Sequence, residues 1–152
     1  MMKGSKRLRF FTLAFILIAS TLVACQSSFQ AGRGKPSIDE VIMAHSLDGS
    51  QKPVDQTSVF ASENVFYASV KVSSLKVSSK VTGKWFFGDQ FIDETGWLIQ
   101  EDGFSGYIGF NLAPSVAWPP GDYRLEVYLA EPVLYGHLED KLAQTTTFRV
   151  EE

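Results

Sequence analysis

The chain predicts an all-β fold, an antiparallel β-sandwich of about seven strands, and three observations carry that expectation. Beyond Pro36, apolar residues recur at every second position in one run after another, which is the period of a half-buried strand. The runs are short and are separated by turn formers: Asp48-Gly49-Ser50, Gly88-Asp89, Asp102-Gly103 and Pro119-Pro120-Gly121. Only one segment carries a helical period at all. Several short alternating strands with turns at this spacing close most economically as two packed antiparallel sheets.

The first element is the ambiguous one. Ile38, Val41, Ile42 and His45 fall at helical spacing, and Ser37 with Glu40 could form a capping box. The strand-like run from Val41 to Leu47 and the turn directly after it favour a first strand. Next, Phe66, Ala68, Val70 and Val72 alternate with Tyr67, Ser69 and Lys71. Val81, Gly83, Trp85 and Phe87 alternate with Thr82, Lys84 and Phe86. Ile108, Phe110 and Leu112 make a short strand. Tyr123, Leu125, Val127 and Leu129 then set one face against Arg124 and Glu126, with Tyr128 as the apolar exception, and Phe148 and Val150 close the domain between Thr147, Arg149 and Glu151. Between Leu129 and Lys141 a longer stretch replaces a tight turn, and residues 131–140 are read as a loop that could bear function.

The step Trp118-Pro119-Pro120-Gly121-Asp122-Tyr123, followed by an alternating strand and a closing strand ending Thr147-Phe148-Arg149-Val150, resembles the last hairpin of bacterial Ig-like or fibronectin-III-like domains. The resemblance spans residues 38–151 in pattern and only the last thirty or so at motif level. It implies an Ig-like sandwich over 37–152, Trp85 as the core tryptophan, and a Tyr123 hydroxyl bonded back to nearby backbone at the corner between sheets. It implies nothing about activity, because this sandwich hosts unrelated functions.

The amino terminus supplies an address. Lys3, Lys6, Arg7 and Arg9 precede an apolar run from Phe10 to Val23, broken only by Thr12, Ser20 and Thr21. As a helix those fourteen residues reach about 21 Å, short of the ~30 Å hydrocarbon core, so a cleaved export signal fits better than a permanent span. Leu22-Val23-Ala24-Cys25 then resembles the lipobox of bacterial lipoproteins. That family implies a signal peptide over 1–24, acylation of Cys25 as the first mature residue, and a membrane anchor built from several acyl chains. The alternative for Cys25 is a free or intermolecularly paired thiol. No aspartate follows the cysteine, and Gln26 in that place mildly favours the outer membrane if the cell has two membranes; with one membrane the protein sits on its outer face. Residues 25–36 are otherwise polar and glycine-containing, a flexible tether of roughly 18 Å reach.

Loss of the leader takes the formal charge from −3 to −7, since the leader holds four basic and no acidic residues. An acidic domain argues against nucleic acid as a ligand. His45 and His137 are the only histidines, far apart in sequence, and no nucleophile–base–acid set or metal-ligand spacing stands out. The paired acids Asp93-Glu94, Glu101-Asp102 and Glu139-Asp140 lie outside any calcium-loop pattern. Neither cofactor nor metal is expected, and an enzyme would need a cleft joining His137 to Glu139 or Asp140.

Aromatic residues are more numerous than a core of this size requires. Trp97, Tyr107, Trp118, Tyr128 and Tyr135, with His137, are the candidate contacts for a ligand or partner, because rings offer large apolar area at modest entropy cost. Trp118 also fits as a plug at the end of the core. The favoured reading is a non-catalytic, membrane-anchored extracytoplasmic module that recognises an envelope protein through loops or an open sheet edge. A glycan- or peptidoglycan-binding sandwich is the alternative, carried by Trp97, Tyr107 and Trp118.

Overall fold

The structure, a computed structural model, describes residues 34–133 and 138–152. The signal peptide, Cys25 and all of the tether before Gly34 lie outside the described residues, as do Tyr135 and His137. The described chain is all-β: β1 Ser37–Leu47, β2 Pro53–Gln56, β3 Val59–Ala61, β4 Phe66–Leu75, β5 Lys80–Phe87, β6 Gln90–Leu98, β7 Phe104–Leu112, β8 Gly121–Pro132 and β9 Leu138–Glu151. Two sheets form, ordered β2-β1-β4-β7 and β3-β9-β8-β5-β6. The chain changes sheet between β2 and β3, β3 and β4, β4 and β5, β6 and β7, and β7 and β8, so this is a β-sandwich, with nine strands where about seven are expected from sequence.

Each added strand has a physical reason for escaping a search for alternation. β2 and β3 are four and three residues long. β6 is an edge strand with solvent on both of its faces, so it carries no period-two apolar signature. The ambiguous first segment is a strand throughout. Its pairing with β4, from Ser37↔Ser73 to Ala44↔Tyr67, satisfies a backbone ladder that a helix could not share, and a bulge between Ile38 and Glu40 produces the irregular apolar spacing.

Inward-facing residues from both sheets build one core, with Trp85 and Tyr123 its largest buried side chains. Phe66 is the hub: its ring lies 4.7 Å from Phe148, 4.8 Å from Trp118, 5.1 Å from Phe60 and 5.4 Å from Tyr123. Much of the apparent aromatic surplus is therefore consumed in the interior, where edge-to-face pairs add to simple burial. The Tyr123 hydroxyl donates to Pro119 O at 2.7 Å, the corner bond expected from the Ig-like resemblance.

The two outer faces differ. The turn between β1 and β2 curls over the four-stranded sheet, where Ser69 Oγ donates to Gln51 O at 2.6 Å and both Ser69 and Ala44 are buried. Asp48 Oδ1 shapes that turn by accepting from Ser50 N and Lys52 N at 2.8 and 2.9 Å. Gly109 lies beneath it, where a Cβ would meet the side-chain end of Gln51 and lie 2.7 Å from Leu47 Cδ1, so those ends would have to swing aside. Nothing comparable covers the five-stranded sheet among the described residues.

Residues 131–140 correct the expected loop. β8 continues to Pro132 and β9 starts at Leu138, with Ala130↔Asp140, Glu131↔Glu139 and Pro132↔Leu138 in register, so most of the stretch is a protruding two-stranded arm. The like-charged Glu131–Glu139 pair is eased by Lys76, whose Nζ lies 3.3 Å from Glu131.

Candidate functional site

Alternation on β5 sends Val81, Gly83 and Trp85 inward and Lys80, Thr82, Lys84 and Phe86 outward. On β8 the outward set is Arg124, Glu126 and Tyr128, and the register places them opposite Phe86, Lys84 and Thr82. Pairing with β6 adds Phe91 beside Phe86 and Glu94 beside Lys84. The uncovered face of the five-stranded sheet therefore holds a continuous ladder of aromatic and charged side chains.

Its contacts are specific. The Arg124 guanidinium sits 4.2 Å from the centre of the Phe86 ring, and Phe91 meets that ring edge-on at 5.8 Å. Arg124 Nε donates to Glu126 Oε1 at 2.9 Å, and its Nη1 reaches Gly88 O and Asp89. Tyr128 donates its hydroxyl to Glu126 Oε2 at 2.7 Å, while Lys84 Nζ lies 4.6 Å above the Tyr128 ring and 3.9 Å from Glu94. Lys80 runs flat across Gly96, where a Cβ would come within 2.5 Å of Lys80 Cε.

The hydrogen bond from Tyr128, followed by that from Arg124, holds the Glu126 carboxyl below its ordinary range despite partial burial. The same bond to Glu126 pushes the Tyr128 phenol up, and Glu126 raises Arg124 further. Glu126 is thus an ionised carboxylate with both oxygens engaged, which suits it to orienting its neighbours and not to accepting a proton from a substrate at neutral pH. The ladder can present flat rings and fixed charge to a binding partner.

Beside this face lies an open edge. β6 ends the five-stranded sheet and β7 ends the four-stranded one, each with nine residues, whereas the opposite ends are the much shorter β3 and β2. β6 and β7 are consecutive strands joined by residues 99–103, so both long edges run along one side of the sandwich. Phe91 and Trp97 are each 51% exposed and Leu98 50%, all three on β6. No lysine or arginine occurs from Trp85 to Tyr123, while Asp89, Asp93, Glu94, Glu101, Asp102 and Asp122 do. That segment contains both open strands.

The residues singled out from sequence do not form one site. Tyr128 is on the ladder. Trp97 is the penultimate residue of β6, opposite Val81. Tyr107 is a half-buried residue of β7 opposite Lys71, with Lys52 Nζ 5.7 Å from its ring, on the other sheet. Trp118 is committed to the core: its Nε1 donates to Asn64 O at 2.9 Å and its ring stacks on Phe66. Lys84, Phe91, Leu98, Arg124 and Glu126 were not singled out. The outward parity of Lys84, Arg124 and Glu126 is readable within their strands, but that of Phe91 and Leu98 on β6 is not, and the β6–β5–β8 neighbourhood that unites them is not encoded in any local spacing.

His45 is likewise structural, with Nδ1 2.8 Å from Asp55 Oδ2 and its ring edge-on to Phe60. A groove of about 520 Å³ lies between the start of β1 and the β8–β9 arm, lined by Lys35, Ile38, Leu129, Val133, Asp140 and Leu142 among others. Among the described residues no cluster of three or more His, Cys, Asp or Glu side chains could hold a metal ion. The chain matches no protein-family model and no curated protein.

Proposed function

We propose that the chain is a non-catalytic binding or assembly module, held outside the cytoplasmic membrane by an acylated Cys25, that recognises a protein partner of the cell envelope. The observation that carries this reading is the side of the sandwich left bare among the described residues: a nine-residue edge strand, paired only with β5, that bears three large apolar side chains next to an uncovered aromatic and charged sheet face. Exposed apolar patches of this kind are normally covered in a free-standing domain. The address rests on the basic leader, its apolar run and the lipobox-like Leu22-Val23-Ala24-Cys25, with the outer membrane as the destination in a cell that has two.

Photo-crosslinking in the native envelope tests the reading, with a photoreactive residue placed in turn at Thr95 on β6, Ser105 on β7 and Thr145 on the outer face of β9. One near-stoichiometric protein adduct supports it. No protein adduct from any of the three positions rejects it.

The half-exposed indole of Trp97 favours a second reading, glycan or peptidoglycan binding by ring stacking. A shift of tryptophan fluorescence with cell-wall fragments, lost in Trp97→Ala, would support that alternative.

A further inference from the structure

We propose that β6 is the docking edge and that its occupant is an extended, basic segment of the partner in which cationic and apolar side chains alternate, added to the five-stranded sheet as a sixth strand. This deepens the binding-module reading and rests on it. The edge supplies backbone donors and acceptors along nine residues, roughly half of which face away from β5. Side chains flanking that backbone set the specificity.

On the outer side these are Phe91, Glu94 and Leu98, in register with Phe86, Lys84 and Lys80; on the core side they are Asp93 and Trp97, in register with Trp85 and Val81. Each side therefore offers an acid flanked by apolar surface, which matches a strand carrying Lys or Arg next to aliphatic residues. The segment from Trp85 to Tyr123, which contains β6, holds six acids and no base, and the cations nearest the edge are Lys80 and Lys84 of β5 on its outer side. Lys84 Nζ lies 3.9 Å from Glu94, and Asp93 Oδ1 accepts from Glu94 N at 2.8 Å, so both side chains stand at the edge itself.

A second copy of this chain is disfavoured by the same residues. Glu94 is the central residue of β6, so self-pairing of the strand brings Asp93 and Glu94 of one copy beside those of the other. Like charges directly opposite are unfavourable and are a common protection of edges against self-association. The bulge at Trp85/Phe86 acts in the same direction by twisting the edge.

The test uses the full chain and three synthetic nine-residue peptides: one alternating Lys and Val, one alternating Glu and Val, and one with the charge of the first but Pro at every second position. The Lys-Val peptide should shift the fluorescence of Trp97 and slow amide exchange in Gln90–Leu98. The Glu-Val and Lys-Pro peptides should bind at least about tenfold more weakly. The double substitution Asp93→Asn with Glu94→Gln, which sets no like charge opposite Lys84, should abolish the preference for Lys-Val over Glu-Val. Equal binding of Lys-Val and Lys-Pro would reduce the effect to bulk charge and overturn the proposal, as would exchange protection confined to another strand or a dimer formed through β6. Crosslinks from Thr145 or Ser105 without any from Thr95 would remove the edge assignment while leaving the binding-module reading in place.

Discussion

Replacing Tyr123 by phenylalanine removes a single oxygen from a buried ring and leaves the ring's packing as it was. Tyr123 is 2% exposed, stacks on Phe148 at 5.5 Å and lies 4.8 Å from Phe87, and none of those contacts involves the hydroxyl. What is lost is the 2.7 Å bond to Pro119 O. A neutral hydrogen bond contributes about 0.5–1.5 kcal/mol net, and a carbonyl left without a partner in the interior adds to the cost. Pro119 itself is exposed, so water can reach its carbonyl and the expected loss stays near 1 kcal/mol. In urea, with a slope of about 1–3 kcal/mol/M, the midpoint should fall by roughly 0.5 M at unchanged slope.

Alkaline pH provides a second readout. Burial raises the Tyr123 pKa in the folded state, so its contribution to stability is complete below the ordinary phenol value and is lost as pH rises through the raised one. Tyr123→Phe should therefore flatten the alkaline limb of the stability profile. An unchanged urea midpoint together with an unchanged alkaline limb would refute the corner bond and, with it, the Ig-like reading of this strand.

Three further outcomes are expected. Gly109→Ala should cost about 1 kcal/mol or less in denaturation, because the new methyl meets only the flexible ends of Gln51 and Leu47, which can swing aside. Glu126→Gln should weaken stability at neutral pH and flatten its acid limb in thermal melts. The lowered carboxyl pKa contributes stability that is present above the ordinary value and disappears as pH falls through the depressed one. Cys25→Ser should release the protein from the membrane fraction or leave it unprocessed, and unchanged fractionation and gel mobility would reject acylation.

How far the fold could be read depended on how deeply each strand is buried. β4, β5, β7 and β8 pack one face on the core, so Phe66 to Val72, Val81 to Trp85, Ile108 to Leu112 and Tyr123 to Val127 show clean alternation in the sequence. On β8 the inward parity runs on to Leu129, which packs against the core opposite Val81, while Ala130 opposite Lys80 is buried as well, and the bulge past Val127 shifts only the pairing with β9. β6 and the first half of β9 are solvated on both sides and leave no such trace, which is why the arm was read as a loop. The candidate site was less legible than the fold. Tyr128 and Trp97 announced themselves as rings out of place, but the Arg124–Glu126–Tyr128 chain depends on partners two residues apart on one strand and on Lys84 across the sheet.

The absence of lysine and arginine between Lys84 and Arg124 also bears on proteolysis. Proteases bind their substrates as extended strands, and an unpaired edge is already in that conformation. An enzyme that cuts after basic residues nevertheless finds no cleavable bond on β6 or β7. Digestion of the denatured chain by such an enzyme leaves residues 85–124 as one fragment carrying both open edges. An adduct on either strand would appear in that same fragment, and telling β6 from β7 requires a protease that cuts at aromatic or acidic residues. Phe91, Trp97 and Leu98 make β6 an accessible target for an aromatic-directed protease among the described residues, and a strand docked there should protect it.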